Sequence, residues 1–79
     1  MDKDKILKEI GRNIRAERNR LGLSQEALAE KADLSYFTHI SKIENGELDT
    51  RITTVIAILE ALNIDFEKIY KLNINKKSD

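Results

Sequence analysis

Apolar residues recur in this sequence at three- and four-residue intervals, with no strand-like alternation, so the chain can bury them together only by folding as a set of helices. Over residues 4–21 the stripe is Ile6, Leu7, Ile10, Ile14 and Leu21, and Gly22 supplies a left-handed stop. Ser24 offers an N-cap oxygen to a short second helix over residues 25–32, with Leu28, Ala29 and Ala32 on one side. Asp33-Leu34-Ser35 breaks the pattern and provides new capping side chains. Phe37, Ile40 and Ile43 then continue at i, i+3 spacing until Asn45-Gly46. After a polar loop, Asp49 or Thr50 is expected to cap a fourth helix whose buried stripe is Ile52, Val55, Ile56, Leu59 and Leu62, ended by Asn63. Asp65 caps a short fifth helix with Phe66, Ile69 and Tyr70 turned inward, and residues 73–79 read as a fraying tail. The sequence has no Pro, so every break rests on Gly, Asn, Asp or Ser. The expectation is an all-α, five-helix single domain spanning 1–79, with its core over about 4–72.

At 79 residues there is room for one core, and 23 Leu, Ile, Val and Phe residues are enough to form it. The absence of Cys excludes disulfides and thiolate chemistry. The apolar run Val55 to Leu59 falls far short of the roughly 18 residues that span a bilayer, and Met1 to Lys8 is charged with no apolar signal segment. A soluble, cytoplasmic protein with no membrane partner is expected. Net charge is zero and the pI is about 6.6, below the value above about 9 that marks many nucleic-acid modules. The charge is nonetheless polarised, at +3 over 1–20, −4 over 21–50 and +1 over 51–79. Taken alone, that pattern fits solvated helix faces.

Catalysis fails on inventory. His39 is the only imidazole, and although Ser35 lies four residues before it, nothing supplies an orienting third group or an oxyanion site. One His, no Cys and scattered carboxylates make no metal-ligand spacing, so His39 is expected to face solvent. Gly11, Gly22 and Gly46 stand too far apart to cradle a phosphate. No enzyme activity, cofactor or metal is expected.

The specific feature is the pair of short helices around Asp33-Leu34-Ser35. Small Ala29 on the first and Ile40 on the second let two axes cross closely and steeply. Gly22-Leu23-Ser24-Gln25-Glu26-Ala27-Leu28-Ala29, followed by Ile40-Ser41-Lys42-Ile43-Glu44-Asn45-Gly46, resembles the phage-repressor and Cro-type helix-turn-helix family, also called the xenobiotic-response-element class. The resemblance runs from Ile10 to Tyr70, about three quarters of the chain. It implies a lambda-repressor-like domain that binds double-stranded DNA through its second and third helices.

The resemblance also implies roles. Gln25 matches the family glutamine that holds a DNA phosphate, the alternative being an exposed polar first turn. Arg18 and Glu44 match a structural pair joining helix one to the end of helix three, the alternative being two solvated charges. Arg51 matches a position near the backbone or a narrow minor groove, the alternative again being solvation. Between Ser35 and Glu44 this chain holds one residue more than the usual member, which predicts a longer turn or a different start for the recognition helix. Counting back from Ile43-Glu44, Thr38 and Lys42 share the outward face, flanked by His39, Ser41 and Asn45. These are candidates for base edges and phosphates, with Lys42 suited to guanine O6 or N7. Of Tyr36 and Phe37, one is expected to pack inward and the other to meet a thymine methyl.

The resemblance implies a transcriptional regulator without an added sensor domain, similar in size to restriction-modification controller proteins and to small phage or mobile-element repressors. Phe66, Ile69, Tyr70, Leu72 and Ile74 exceed what a short last helix needs for docking, which predicts a homodimer interface. Closing the protomer's own core is the other use for them. A second class of function is an antitoxin-like module that binds a partner protein, with or without DNA.

Overall fold

Every helix end carries a residue in the left-handed region: Gly22 at φ 70°, Asp33 at 58°, Gly46 at 72° and Asn63 at 56°. In a computed structural model describing residues 1–74, these four residues terminate α1 (Lys3–Arg20), α2 (Gln25–Lys31), α3 (Phe37–Glu44) and α4 (Ile52–Leu62). Each end closes with the paired hydrogen bonds of a Schellman motif, such as Leu23 N–H to Arg18 O at 3.1 Å with Gly22 N–H to Asn19 O at 3.0 Å. The punctuation that proline cannot supply here is thus supplied by four left-handed residues, two of them not glycine. The sequence reading anticipated the stops at Gly22, Asn45-Gly46 and Asn63.

Helix starts are less uniform. Asp2 caps α1 by accepting from Lys5 N–H, and Ser24 caps α2 by accepting from Ala27 N–H at 3.0 Å, a contribution of about 1 kcal/mol. At α3 the N-cap is Tyr36, with no side-chain cap bond, so the Asp33-Leu34-Ser35 side chains do not start this helix as expected. At α4 the N-cap is Arg51, again without a side-chain bond; neither Asp49 nor Thr50 takes that role. The expected fifth helix is a single 3-10 turn, Phe66–Lys68, because Asp65 makes no capping bond and the turn closes after three residues. The described residues therefore hold four α-helices and no strand. None of these helices is long and apolar enough to cross a membrane. Residues 75–79 of the expected tail lie outside the described residues.

The core gathers Ile14 of α1, Leu28 and Ala29 of α2, Ala32 just beyond it, Ile40 and Ile43 of α3, Ile58, Ala61 and Leu62 of α4, and Ile69. Each fully buried isoleucine or leucine contributes about 1.5–3 kcal/mol. Two expected stripe members are misplaced. Ile52 and Ile56 are 66% and 47% exposed, and the inward face of α4 is instead Ile58, Ala61 and Leu62, with Val55 and Leu59 half-buried. Leu21, expected to continue the α1 stripe, is exposed because it falls at the C-cap.

Helix α1 meets the end of α3 at Gly11. A Cβ there would stand 2.6 Å from the Glu44 carbonyl oxygen and closer still to that of Ile43, so only glycine lets the two helices touch at this depth. Asn13 Nδ2 donates to Ile69 O at 2.8 Å and ties the C-terminal turn back onto α1.

Candidate nucleic-acid interface

Helix α3 is anchored by Ile40 and Ile43, 0% and 4% exposed, which forces the rest of its surface outward. Thr38 and Lys42, four residues apart, are both exposed, and Ser41 is half-buried at the edge of the same face. Tyr36 and Phe37 are 74% and 45% exposed, so the expectation that one of them packs inward does not hold. With Phe37 as the first residue of α3 and Tyr36 as its N-cap, neither ring reaches the core that Ile40 closes. The segment between α2 and α3 spans residues 32–36, and α3 begins at Phe37.

His39 does not face solvent freely. It is half-buried, with its ring Nε2 3.0 Å from Thr50 Oγ1, and so fastens the loop before α4 to α3. Arg51, the next residue, is exposed at the start of α4.

The strongest polar construction lies just inside this face. Glu44, the last residue of α3, has a fully buried carboxylate that gathers donors from two other helices. Arg18 gives Nε to Oε2 at 2.6 Å and Nη2 to Oε1 at 3.0 Å, a bidentate pair, and its Nη1 goes to the Leu23 carbonyl at 2.8 Å. Gln25 Nε2 donates to Oε1 at 3.1 Å, and Arg15 Nε adds a further bond at 3.3 Å. Burial acts to raise the Glu44 pKa. The Arg18 hydrogen bonds, the Gln25 amide, the Arg18 charge and the Arg15 hydrogen bond outweigh it and hold the carboxyl below the usual range. The hydrogen bond to Glu44 likewise raises Arg18 further.

This arrangement locks the three helices in one relative orientation. Gln25, at the first turn of α2, is held by Glu44 through one amide hydrogen and so enters any further contact already oriented. Asn45, which follows Glu44, is exposed, its Oδ1 accepting from Arg15 Nη2 at 2.8 Å. Sequence reasoning missed Arg15. Its signal was the spacing: three residues before Arg18, on a neighbouring strip of the same helix face.

The C-terminal candidates divide. Phe66 is 36% exposed and stacks edge-on to half-buried Tyr70, with ring centroids 6.5 Å apart. Leu72 and Ile74 are 57% and 60% exposed. Ile69 is 0% exposed inside the protomer's core, which removes it from any interface. Exposed Ile52 and Ile56 were missed as surface residues because they were assigned to the core.

Comparison with known proteins agrees with this geometry. The helix-turn-helix family profile matches residues 14–69. Control protein C.SmaI of Serratia marcescens is 39% identical over 69 residues, which cover 87% of this chain and 77% of that protein. The crystal structure of the restriction-modification controller protein C.AhdI from Aeromonas hydrophila superposes with a TM-score of 0.77 at 26% identity, covering 81% of this chain and 96% of that one.

Proposed function

The chain belongs to the helix-turn-helix family, and from that premise we propose that it is a sequence-specific, DNA-binding transcriptional regulator of the restriction-modification controller type, acting as a homodimer on a pseudo-palindromic operator. The observation that carries this reading is the outward face of α3, where Thr38 and Lys42 stand exposed on a helix fixed from behind by Ile40, Ile43 and the Glu44 bonds. A helix presented in that way fits the major groove.

In this reading Lys42 and Thr38 meet base edges, with Tyr36, Phe37 and Ser41 at the margins of the same surface. Gln25, at the positive end of the α2 dipole, holds a phosphate, and Asn45 and Arg51 flank the groove. His39 acts by holding the loop before α4 in place. Residues 1–74 work as one domain, in the cytoplasm, without a cofactor and without enzyme activity. Phe66, Tyr70 and Leu72 form the dimer contact, a reading supported by the exposure of Phe66 and Leu72 beside half-buried Tyr70 at the C-terminal end. A two-fold dimer sets two recognition helices about one DNA turn, roughly 34 Å, apart.

The test joins gel shift with sedimentation. A salt-sensitive shift of DNA upstream of the protein's own gene, together with a dimer at micromolar concentration, supports the reading. A monomer that binds one asymmetric half-site with full affinity removes the dimer from it.

A further inference from the structure

One buried carboxylate is shared by two guanidinium groups of unequal exposure. Arg18, with a side chain 11% exposed, is consumed: Nε and Nη2 serve Glu44 and Nη1 serves the Leu23 carbonyl. Arg15, 48% exposed, gives Glu44 its Nε alone. One negative charge thus faces two positive ones, and the surplus positive charge sits on the outer residue. Among the described residues, Glu44 is the acidic group that pairs with Arg15.

The second contact of Arg15 fixes a neighbour. A guanidinium can only donate, so with Arg15 Nη2 at 2.8 Å the Asn45 amide must turn its oxygen inward and its NH2 away. Asn45 is exposed at the C-cap of α3, so what it offers a ligand is donors. They stand beside the three Arg15 hydrogens not spent on Glu44 or Asn45. The end of α3 is the negative end of its dipole, which by itself disfavours an anion. That cost is reduced here, because the carbonyls of Ser41, Lys42 and Ile43 already accept from the N–H groups of Asn45, Glu47 and Gly46.

We infer that Arg15 and Asn45 form an anion site at the end of the recognition helix that takes a DNA backbone phosphate, Arg15 both contacting the phosphate and holding the Asn45 donors toward it. This site rests on the DNA-binding reading above and adds α1 to the docking surface. Its phosphate would fix the register in which Thr38 and Lys42 meet the bases.

The probe is the duplex that the wild-type protein itself selects from a random pool, titrated at several salt concentrations. Arg15→Met is expected to weaken binding about tenfold or more, as for loss of a charge-assisted hydrogen bond. It is also expected to make the log-affinity against log-salt slope shallower by about one. The selected base motif stays the same. Asn45→Ala weakens binding in the wild-type background but adds little on top of Arg15→Met, because the amide has already lost its orientation. Arg15→Lys keeps the charge but not the fork, and restores affinity in part. Should Arg15→Met fail to fold, Arg15→Lys and Asn45→Ala carry the test, since both leave Arg18 and Gln25 on Glu44. Full restoration by Arg15→Lys, or an Asn45→Ala loss of equal size in both backgrounds, overturns the site and reduces Arg15 to a diffuse charge. A wild-type protein that binds no duplex overturns the DNA-binding reading, and this site with it.

Discussion

Replacing Glu44 by Ala removes the one carboxylate on which α1, α2 and α3 converge. The side chain is fully buried and accepts from Arg18, Gln25 and Arg15, so its loss leaves the 11%-exposed Arg18 guanidinium beside an apolar methyl. Stranding one member of a buried pair costs about 3–5 kcal/mol. A domain of this length has a total stability of about 4–12 kcal/mol, so the variant sits at or near the limit of folding. Each kilocalorie moves the melting temperature by about 4–8 °C at this size, giving an expected drop of about 12–40 °C. Glu47, three residues on and exposed, is the control, where Ala costs about 0–1 kcal/mol. Thermal unfolding followed by circular dichroism at neutral pH compares the two. Equal shifts would refute the reasoning, because they would mean that the Glu44 carboxylate is solvated and its bonds contribute nothing to holding the helices.

Glu44 also predicts an acid limb. Its pKa is depressed on folding, so its contribution is complete above the unfolded value near 4.3 and lost as pH falls through the lower folded value. The stability gap between wild type and Glu44→Gln should therefore narrow below about pH 4; a constant gap contradicts it. Among the glycines, Gly22 and Gly46 both hold positive φ, but a Cβ at Gly22 meets open space while one at Gly46 stands 2.6 Å from Lys8 Cγ and 2.9 Å from its Cα. Chemical denaturation should find Gly22→Ala costing about 1–2 kcal/mol and Gly46→Ala distinctly more. Gly11→Ala, which must push α1 off the α3 carbonyls, should cost about 1–3 kcal/mol or more by the same assay. In binding assays, Lys42→Ala and Thr38→Ala should each relax preference at particular base pairs at a cost of about 1–3 kcal/mol, while Gln25→Ala weakens all sites alike. A motif altered by Gln25→Ala and untouched by Lys42→Ala would mean that the docking face is wrong.

What the sequence made legible was punctuation and period where the two are unambiguous. Gly22, Gly46 and Asn63 announce helix ends because few other residues adopt positive φ cheaply. Asp33 does the same at φ 58°, but Asp is equally common as an N-cap, so the sequence suggests the start of α3 where the structure has the end of α2. Helix α4 defeated the periodicity because Ile52, Val55, Ile56 and Leu59 make as regular a stripe as Val55, Ile58, Leu59 and Leu62. Choosing between them takes the partner helices, which local spacing does not contain. The Arg18 and Glu44 positions came from resemblance, whereas Arg15 and the close approach at Gly11 depend on α1 crossing the end of α3, a contact about 30 residues apart in the chain. Ile69 reads as an interface residue because nothing local reveals that Asn13, 56 residues away, bonds its carbonyl and that its side chain is buried in the core.

The central claim is that two copies of α3 read one symmetric DNA site, and selection of bound duplexes from a random pool tests it most directly. The account predicts one enriched motif made of two inverted half-sites about 10 base pairs apart, centre to centre. Recovery of a single asymmetric half-site, or no enrichment over the starting pool, would contradict it.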